Sequence, residues 1–206
     1  MQFVKHIARE TKAGYSLVEV LVVVTIMGIL SSMGVAGLQA AVANSRVKDA
    51  AINTAAFIER VGNESRELTS PICLAIPNSL HPRVIYAVRS NGADCSPSNW
   101  IGSEGSVVDS LEIDSPLEFA KNTSSSCNSS IGVDFISTTS ESALFKPRLG
   151  LSAVPSQGVV CIKYGDGEDG PFGLAQKELN SNSVKAYWKV EKSSGDAGWQ
   201  EIGGTK

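Results

Sequence analysis

The sequence predicts an α+β protein. In this fold, a long N-terminal α-helix with a transmembrane first half and an amphipathic second half packs on a C-terminal antiparallel β-rich globular head. Three observations predict it. An uncharged apolar run covers residues 20–43, an amphipathic pattern continues to Leu68, and short β-prone runs separated by Gly, Pro, Ser and Asn fill residues 71–206.

The apolar run is long enough to cross a bilayer as a helix, because a crossing takes about 20 residues. Its clearly polar members are only Thr25, Ser31, Ser32 and Gln39. A short leader before it carries more basic than acidic residues, namely Lys5, Arg9 and Lys12 against Glu10. The positive-inside rule keeps such a leader in the cytoplasm, so the rest of the chain is predicted to face outward.

The amphipathic part of the helix shows residues spaced alternately four and three apart, with most charged side chains off that line. The predicted buried stripe consists of Val47, Ala51, Thr54, Ile58, Val61, Ser65 and Leu68. The run Thr69-Ser70-Pro71 is a stop signal. One helix from about Tyr15 to Leu68 is therefore predicted, and its stripe is expected to pack on the head.

The head reads as half-buried antiparallel sheet, because several of its apolar runs alternate with polar residues. Six strands are predicted, over residues 72–76, 83–89, 107–113, 132–137, 159–164 and 184–192. The 136 residues that follow the helix can bury a modest core.

The run Ala13-Gly14-Tyr15-Ser16-Leu17-Val18-Glu19 resembles the class III signal of type IV prepilins and type II secretion pseudopilins. The resemblance implies that a prepilin peptidase cuts between Gly14 and Tyr15, that Tyr15 is N-methylated, and that the apolar segment stays on the mature protein. It implies a leader at 1–14, an assembly helix at 15–70 that is transmembrane over about 20–43, and a head at 71–206. Two departures are Tyr15, where phenylalanine is most common, and the absence of a helix proline before Pro71.

Glu19 would be the fifth residue of the mature chain and would lie in the first helical turn. A carboxylate at that position favours the helix N-terminus by about 0.3 to 1 kcal/mol. The resemblance implies a larger role in subunit assembly, in which Glu19 pairs with the amine of a neighbouring subunit's Tyr15. Ionisable residues within membrane spans usually have such a partner.

Small residues recur along the apolar helix, at Gly28, Ser32, Gly34 and Gly37. Four-residue spacings such as Gly28 to Ser32 permit close approach of helix backbones, so these positions are predicted to serve helix packing. The alternative is that membrane helices simply tolerate glycine.

The function that the resemblance implies is a structural subunit, whether pilin, minor pilin or pseudopilin, of a type IV pilus or a type II secretion pseudopilus. Its implied partners are other pilin-like subunits of the same or a different kind, prepilin peptidase, an inner-membrane assembly platform, and membrane lipid before assembly. Its implied location is the inner membrane with a periplasmic head, followed by a periplasmic pseudopilus or a surface pilus. The strand at 72–76 loosely resembles the head of the minor pseudopilin H and FimT-like group.

A second interpretation is an ordinary secretory signal peptide cut after Ala43, or a single-pass anchor, in either case carrying a binding domain. The triplet Ala41-Val42-Ala43 has the small residues of such a cleavage site. This interpretation ranks lower because a signal usually spans about 15 to 30 residues.

The four cysteines have no Cys-x-x-Cys pair and no nearby histidine, which argues against zinc. A head that faces an oxidising compartment favours two disulfides. Of the three possible connectivities, we favour sequential pairing, Cys73 with Cys95 and Cys127 with Cys161.

No catalytic motif is present, and His81 is the one histidine outside the leader. We therefore predict a protein that is not an enzyme and has no cofactor or metal. Three carboxylates, Asp166, Glu168 and Asp169, could converge on Ca²⁺, but such turns are usually solvated hairpin connections. The formal net charge of −3 becomes about −5 without the leader, so nucleic acid is not a predicted partner.

Overall fold

A computed structural model describes residues 15–75, 83–90, 95, 107–120, 127, 133–134, 144–147, 150–151, 158–165, 170–177, 183–190 and 198–203. The chain divides into two compact units, the first ending at Ala41 and the second running from Val42 to Lys206. One helix, α1 (Leu17–Glu67), is followed by β-structure in the described part of the chain. The α+β prediction is confirmed.

The first sheet of the second unit has five strands in the described residues, in the order β3-β2-β1-β6-β7. Its neighbouring strands are antiparallel. The strands are β1 (Ile72–Ala75), β2 (Val84–Arg89), β3 (Val107–Glu112), β6 (Leu144–Lys146) and β7 (Gly150–Leu151).

The second sheet follows the order β11-β10-β9-β8-β4, and a short strand β5 also pairs with β8. The pairing of β5 with β8 is parallel, which differs from the antiparallel pattern that the sequence predicts. The strands are β4 (Leu117–Ala120), β5 (Val133–Asp134), β8 (Gly158–Tyr164), β9 (Phe172–Lys177), β10 (Val184–Lys189) and β11 (Gln200–Glu201).

The helix begins and ends within two residues of the prediction, and the predicted stripe is the buried face of its second half. Six of the seven stripe residues are at most 1% exposed. The prediction for Leu68 is wrong, because Leu68 lies after the last helical residue and is 37% exposed. Leu68 N–H still donates to the Glu64 carbonyl at 2.9 Å, and the backbone turns away from the helix at Thr69, which adopts a left-handed conformation with φ 47°.

The two polar members of the stripe are buried with partners. The Thr54 hydroxyl donates to the Ala50 carbonyl at 2.7 Å. The Ser65 hydroxyl lies 2.9 Å from the Phe145 carbonyl oxygen, which ties the end of α1 to β6. Because buried polar groups are costly only when they lack a partner, the stripe tolerates both residues.

The main core contains side chains from the second half of α1 and from both sheets. Val47, Ile58 and Val61 of the helix share one buried cluster with Ile72 of β1 and Ile162 of β8. The opposite face of the second sheet carries a smaller cluster built on Cys127, Val159, Cys161, Phe172 and Leu174. β8 and β9 are thus buried on both faces.

The two disulfides follow the sequential pairing favoured by the sequence. Cys73 on β1 is bonded to Cys95, with Cα atoms 5.6 Å apart. Cys127 is bonded to Cys161 on β8, with Cα atoms 6.0 Å apart. Each bond joins a strand of one sheet to a residue outside the regular strands, and no cysteine is free.

Candidate functional site

The helix begins where the predicted assembly residues lie. The Ser16 carbonyl accepts a hydrogen bond from Val20 N–H at 3.2 Å, so Ser16 occupies the N-cap position and Glu19 is the third helical residue. The spacing Ser16-x-x-Glu19 matches a capping box, in which the two side chains serve the first free N–H groups of a helix. The sequence alone carries this signal, which could have indicated the start of the helix.

Tyr15 and Glu19 lie on the same side of the helix start. Both line a pocket of about 330 Å³ together with Val20, Val23 and Val24. Glu19 is solvent-exposed in this single chain. In lipid, a carboxylate beside these four apolar residues is energetically costly unless a cation pairs with it.

The apolar half of the helix is exposed over its whole described length. Every side chain described between Tyr15 and Val42 is exposed, whereas Ala43 is only 8% exposed and starts the buried stripe. Leu17, Leu30 and Met33 are 81%, 64% and 71% exposed. Apolar surface of this extent is typical of a membrane or protein interface.

Two polar residues of this segment have their hydroxyls paired with backbone carbonyls of the same helix. The Thr25 hydroxyl donates to the Val22 carbonyl at 2.8 Å, and the Ser32 hydroxyl donates to the Ile29 carbonyl at 2.7 Å. In hydrocarbon, internal hydrogen bonds of this kind remove the cost of an unpaired polar group. By length and composition, α1 has a segment that can cross a membrane.

The predicted packing glycines face open space. An added Cβ at Gly28, Gly34 or Gly37 would meet no other heavy atom within 4 Å. Close packing at these positions would need a second helix, so their role stays a prediction.

One predicted site residue, and the three carboxylates considered for Ca²⁺ but not predicted as a site, lie outside this segment. Gly14 and the carboxylates Asp166, Glu168 and Asp169 lie outside the described residues. The strands that precede and follow that acidic segment in the sequence, β8 and β9, are antiparallel neighbours. Within the described part of the chain, no group of three His, Cys, Asp or Glu side chains is placed to hold a metal ion.

Residues 10–35 match a family model described as the prokaryotic N-terminal methylation motif. The matched range contains Gly14, Tyr15 and Glu19, and it supports a place in the type IV pilin and pseudopilin superfamily. No curated protein and no solved structure matches the chain.

The motif and an exposed apolar helix are both typical of one class of protein. Proteins with this motif are pilin-like substrates of prepilin peptidase and act as structural subunits. The motif implies processing by that peptidase and assembly into a pilus or pseudopilus in general. The apolar helix with this motif indicates single-pass membrane anchoring.

Proposed function

We propose that this chain is a filament subunit, a pilin, minor pilin or pseudopilin. It is cut between Gly14 and Tyr15, N-methylated on Tyr15 and polymerised through its N-terminal helix. Before assembly the helix crosses the inner membrane over about residues 20–43, and the head at 71–206 faces the periplasm. Its role is mechanical and not catalytic. Its partners are pilin-like subunits, prepilin peptidase and an inner-membrane assembly platform.

One observation carries the proposal. The same helix is apolar and exposed from Leu17 to Val42, and it is buried along one face from Ala43 onward. A span used only to anchor a domain needs no carboxylate at its start, whereas subunit pairing gives Glu19 a partner. Glu19 lies four residues after Tyr15 and inside the matched range, and the proposed pairing joins it to the Tyr15 amine of a neighbouring chain.

The competing function is a binding domain exported by a signal peptide that is cut after Ala43. The helix runs without a break through residues 43 and 44, and Ala43 is buried in the second unit. A cut at that point would place a new charged terminus beside packed apolar side chains. This placement favours retention of the whole helix.

The first experiment tests processing by intact-mass and N-terminal analysis of the protein purified from membranes. We expect the native chain to begin at a methylated Tyr15. The Gly14→Ala variant should remain a larger precursor, while the matched Gly28→Ala variant should be cut normally. A mature chain that begins at Asn44, or normal cleavage of Gly14→Ala, would contradict the proposal.

The second experiment tests assembly by quantifying subunits in sheared filaments. Glu19→Ala and Glu19→Gln should both be processed and yet be lost from filaments, because each strands the neighbour's amine in apolar surroundings. Breaking a buried ion pair costs on the order of 3 to 5 kcal/mol. The control Glu67→Ala removes an exposed carboxylate from the last helical turn and should assemble normally. Normal incorporation of both Glu19 variants would exclude the pairing role.

A further inference from the structure

β3 is the longest edge strand in the described part of the two sheets. It has six residues and pairs on one side with β2, whereas the edge strands β7, β11 and β4 have two, two and four residues. Val107, Ser110 and Glu112 of β3 are solvent-exposed. A long exposed edge offers unpaired backbone groups to another strand, and natural proteins usually protect such edges.

The register of β3 identifies which backbone groups point outward. Ile113 N–H donates to the Arg83 carbonyl at 2.9 Å. In an antiparallel ladder, hydrogen-bonded pairs alternate with pairs that are not hydrogen-bonded. The bonded series therefore continues through Leu111 and Asp109, and the backbone groups of Ser110 and Glu112 face away from β2.

The outward N–H at the middle of this edge is already occupied. Ser110 N–H donates to Asp109 Oδ1 at 2.8 Å, from the neighbouring side chain. Asp109 Oδ2 accepts from Arg60 of α1, with Nε at 2.7 Å and Nη2 at 2.6 Å. Both oxygens of one carboxylate are thus engaged, one by the strand edge and one by the helix. We call Arg60, Asp109 and Ser110 the β3 clamp.

A second feature interrupts the same edge. The register between β2 and β3 shifts between Ala87 and Val88, so Val107 pairs with Val88 and Val108 is an extra residue. Bulges of this kind twist an edge and limit its pairing. The uninterrupted part of the β3 edge therefore centres on Ser110, where the β3 clamp lies.

The β3 clamp contributes little to stability by itself. The Arg60 side chain is 60% exposed and that of Asp109 is 26% exposed. Exposed ion pairs are typically worth about 0 to 1 kcal/mol. Its placement on an outward backbone N–H therefore calls for an explanation other than stability.

We propose that the β3 clamp prevents β3 from pairing edge to edge with the β3 strand of a second copy of this chain. Two antiparallel copies related by a two-fold axis at Ser110 would each offer the same outward N–H and C=O, so the pairing is self-complementary. The carboxylate of Asp109 occupies that N–H, so the N–H is not free to bond to a second strand. This inference does not depend on the proposed function.

The test uses the full chain in detergent with a reporter thiol at the edge. The native cysteines are all in disulfides, so Ser110→Cys adds one free thiol. After mild oxidation we expect Ser110→Cys alone to stay monomeric. Adding Asp109→Val, which removes the acceptor, should increase the disulfide-linked dimer at least tenfold, because one backbone N–H is freed in each of the two copies.

Three matched variants distinguish release of the β3 clamp from other causes of dimer formation. Asp109→Asn keeps an oxygen for Ser110 N–H and should leave the dimer low. Glu112→Val removes a charge from the same strand without touching Ser110 and should also leave it low. A thiol placed by Gln200→Cys on the exposed strand β11 should not cross-link in the Asp109→Val background, which excludes dimers formed by unfolded chains.

Either of two results would overturn the proposal. Dimer yields that do not rise with Asp109→Val, or that rise equally with Glu112→Val, would show that the β3 clamp does not control this edge. Cross-linking at position 200 as efficient as at position 110 would show that the contact is not made by β3.

Discussion

At the scale of single residues, a close approach between α1 and the second sheet depends on the absence of a side chain at Gly173. A Cβ added to Gly173 would lie 3.1 Å from the Val47 carbonyl oxygen and 3.2 Å from the Ala51 Cβ. Both atoms belong to the helix and cannot rotate away. Gly173 therefore allows β9 to pack directly against the helix backbone.

We predict opposite effects for two glycine substitutions at the helix surface. Gly173→Ala should lower the free energy of unfolding by about 1 to 3 kcal/mol, because overpacking has that cost. Gly62→Ala should raise it by about 0.5 to 1 kcal/mol, because alanine favours a helix and its Cβ would meet the Phe145 ring at an ordinary 3.5 Å. Chemical denaturation measures both. If both substitutions changed the free energy of unfolding equally and in the same direction, contact with Val47 would not be the reason that position 173 requires glycine.

Lys177, at the end of β9, gives one pH-dependent contribution to stability. Burial lowers the pKa of the Lys177 amine below its ordinary value of 10.5, and nearby Arg66 lowers it further, while Glu59 opposes both. The unfolded chain therefore binds this proton more tightly than the folded chain does. Stability rises with pH as the folded protein releases the proton, up to the unfolded value.

We predict that the unfolding free energy of the native protein, minus that of Lys177→Met, increases as pH is raised from neutral toward 10.5. The methionine fills similar space and carries no proton in either state. Lys177→Arg, which stays charged throughout, should lose the increase as well. Urea denaturation over this pH series measures the difference, and a flat or falling difference for the native protein would contradict the assignment.

The buried stripe could be predicted from the sequence because mostly apolar residues recur there at the spacing of a helix. Val47, Ile58 and Val61 repeat at helical spacing, and Thr54 and Ser65 follow the same spacing. Leu68 fits the period but not the fold, since the helix ends at Glu67. Periodicity indicates which residues share a face, but it does not say where the backbone leaves the helix.

At the scale of elements, each disulfide covers the outer face of one sheet. Cys73 and Cys95 form a small buried cluster with Leu144 beside the first sheet. Cys127 and Cys161 are fully buried beside the second sheet. The Lys189 amine also donates to the Cys127 carbonyl at 2.9 Å, so a second contact holds the residue that closes the longer loop.

We predict that replacing either pair of bonded cysteines with alanine lowers the free energy of unfolding by about 3 to 4 kcal/mol, from loop entropy alone. Loss of the Cys127–Cys161 disulfide should lower the free energy of unfolding more than loss of the other. Its cysteines are 34 residues apart in the sequence, against 22 for Cys73 and Cys95, and its sulfurs lie in a packed cluster. Denaturant midpoints of the two double variants test this order. The reverse order, or free thiols in the native protein, would contradict it.

The strands that the sequence analysis missed show where local pattern fails. β9 reads Phe172-Gly-Leu-Ala-Gln-Lys177, without polar alternation, because Phe172 and Leu174 face one cluster while Ala175 faces the helix. From the sequence alone, the Gly and Ala residues of β9 suggest a loop. They fit a strand here because the helix packs closely against it. β4, β6, β7 and β11 have four, three, two and two residues, too few for a pattern.

At the scale of the whole molecule, the boundary between the compact units falls inside α1. The second unit begins at Val42, and its core includes Val47, Ile58 and Val61 of the helix. The strands alone therefore lack part of their core.

We predict that a chain beginning at Val42 folds in water as a soluble domain with both disulfides, because it keeps its buried surface and loses the exposed apolar segment. A chain beginning at Pro71 should fail to fold cooperatively, since it lacks the helix side of the core. Near-ultraviolet circular dichroism and thiol titration distinguish the two. A folded product from Pro71 would contradict the role given to the helix.

The candidate site could be located from sequence more fully than the fold could. The order of Gly14, Tyr15 and Glu19 before an apolar run is a local signal, and the matched motif covers those residues. Pairing of Glu19 with a neighbour depends on a second chain, which no property of one sequence supplies. The β3 clamp also joins residues 49 positions apart, beyond the reach of local pattern.

The two disulfides also restrict when the chain can complete its maturation. Glutathione keeps thiols reduced in the cytosol, so neither bridge persists there. Under the proposed function, both disulfides would therefore form only after residues 71–206 have left the cytosol and before the chain enters a filament. A cell without an oxidising outer compartment would then supply only subunits that lack the two disulfides.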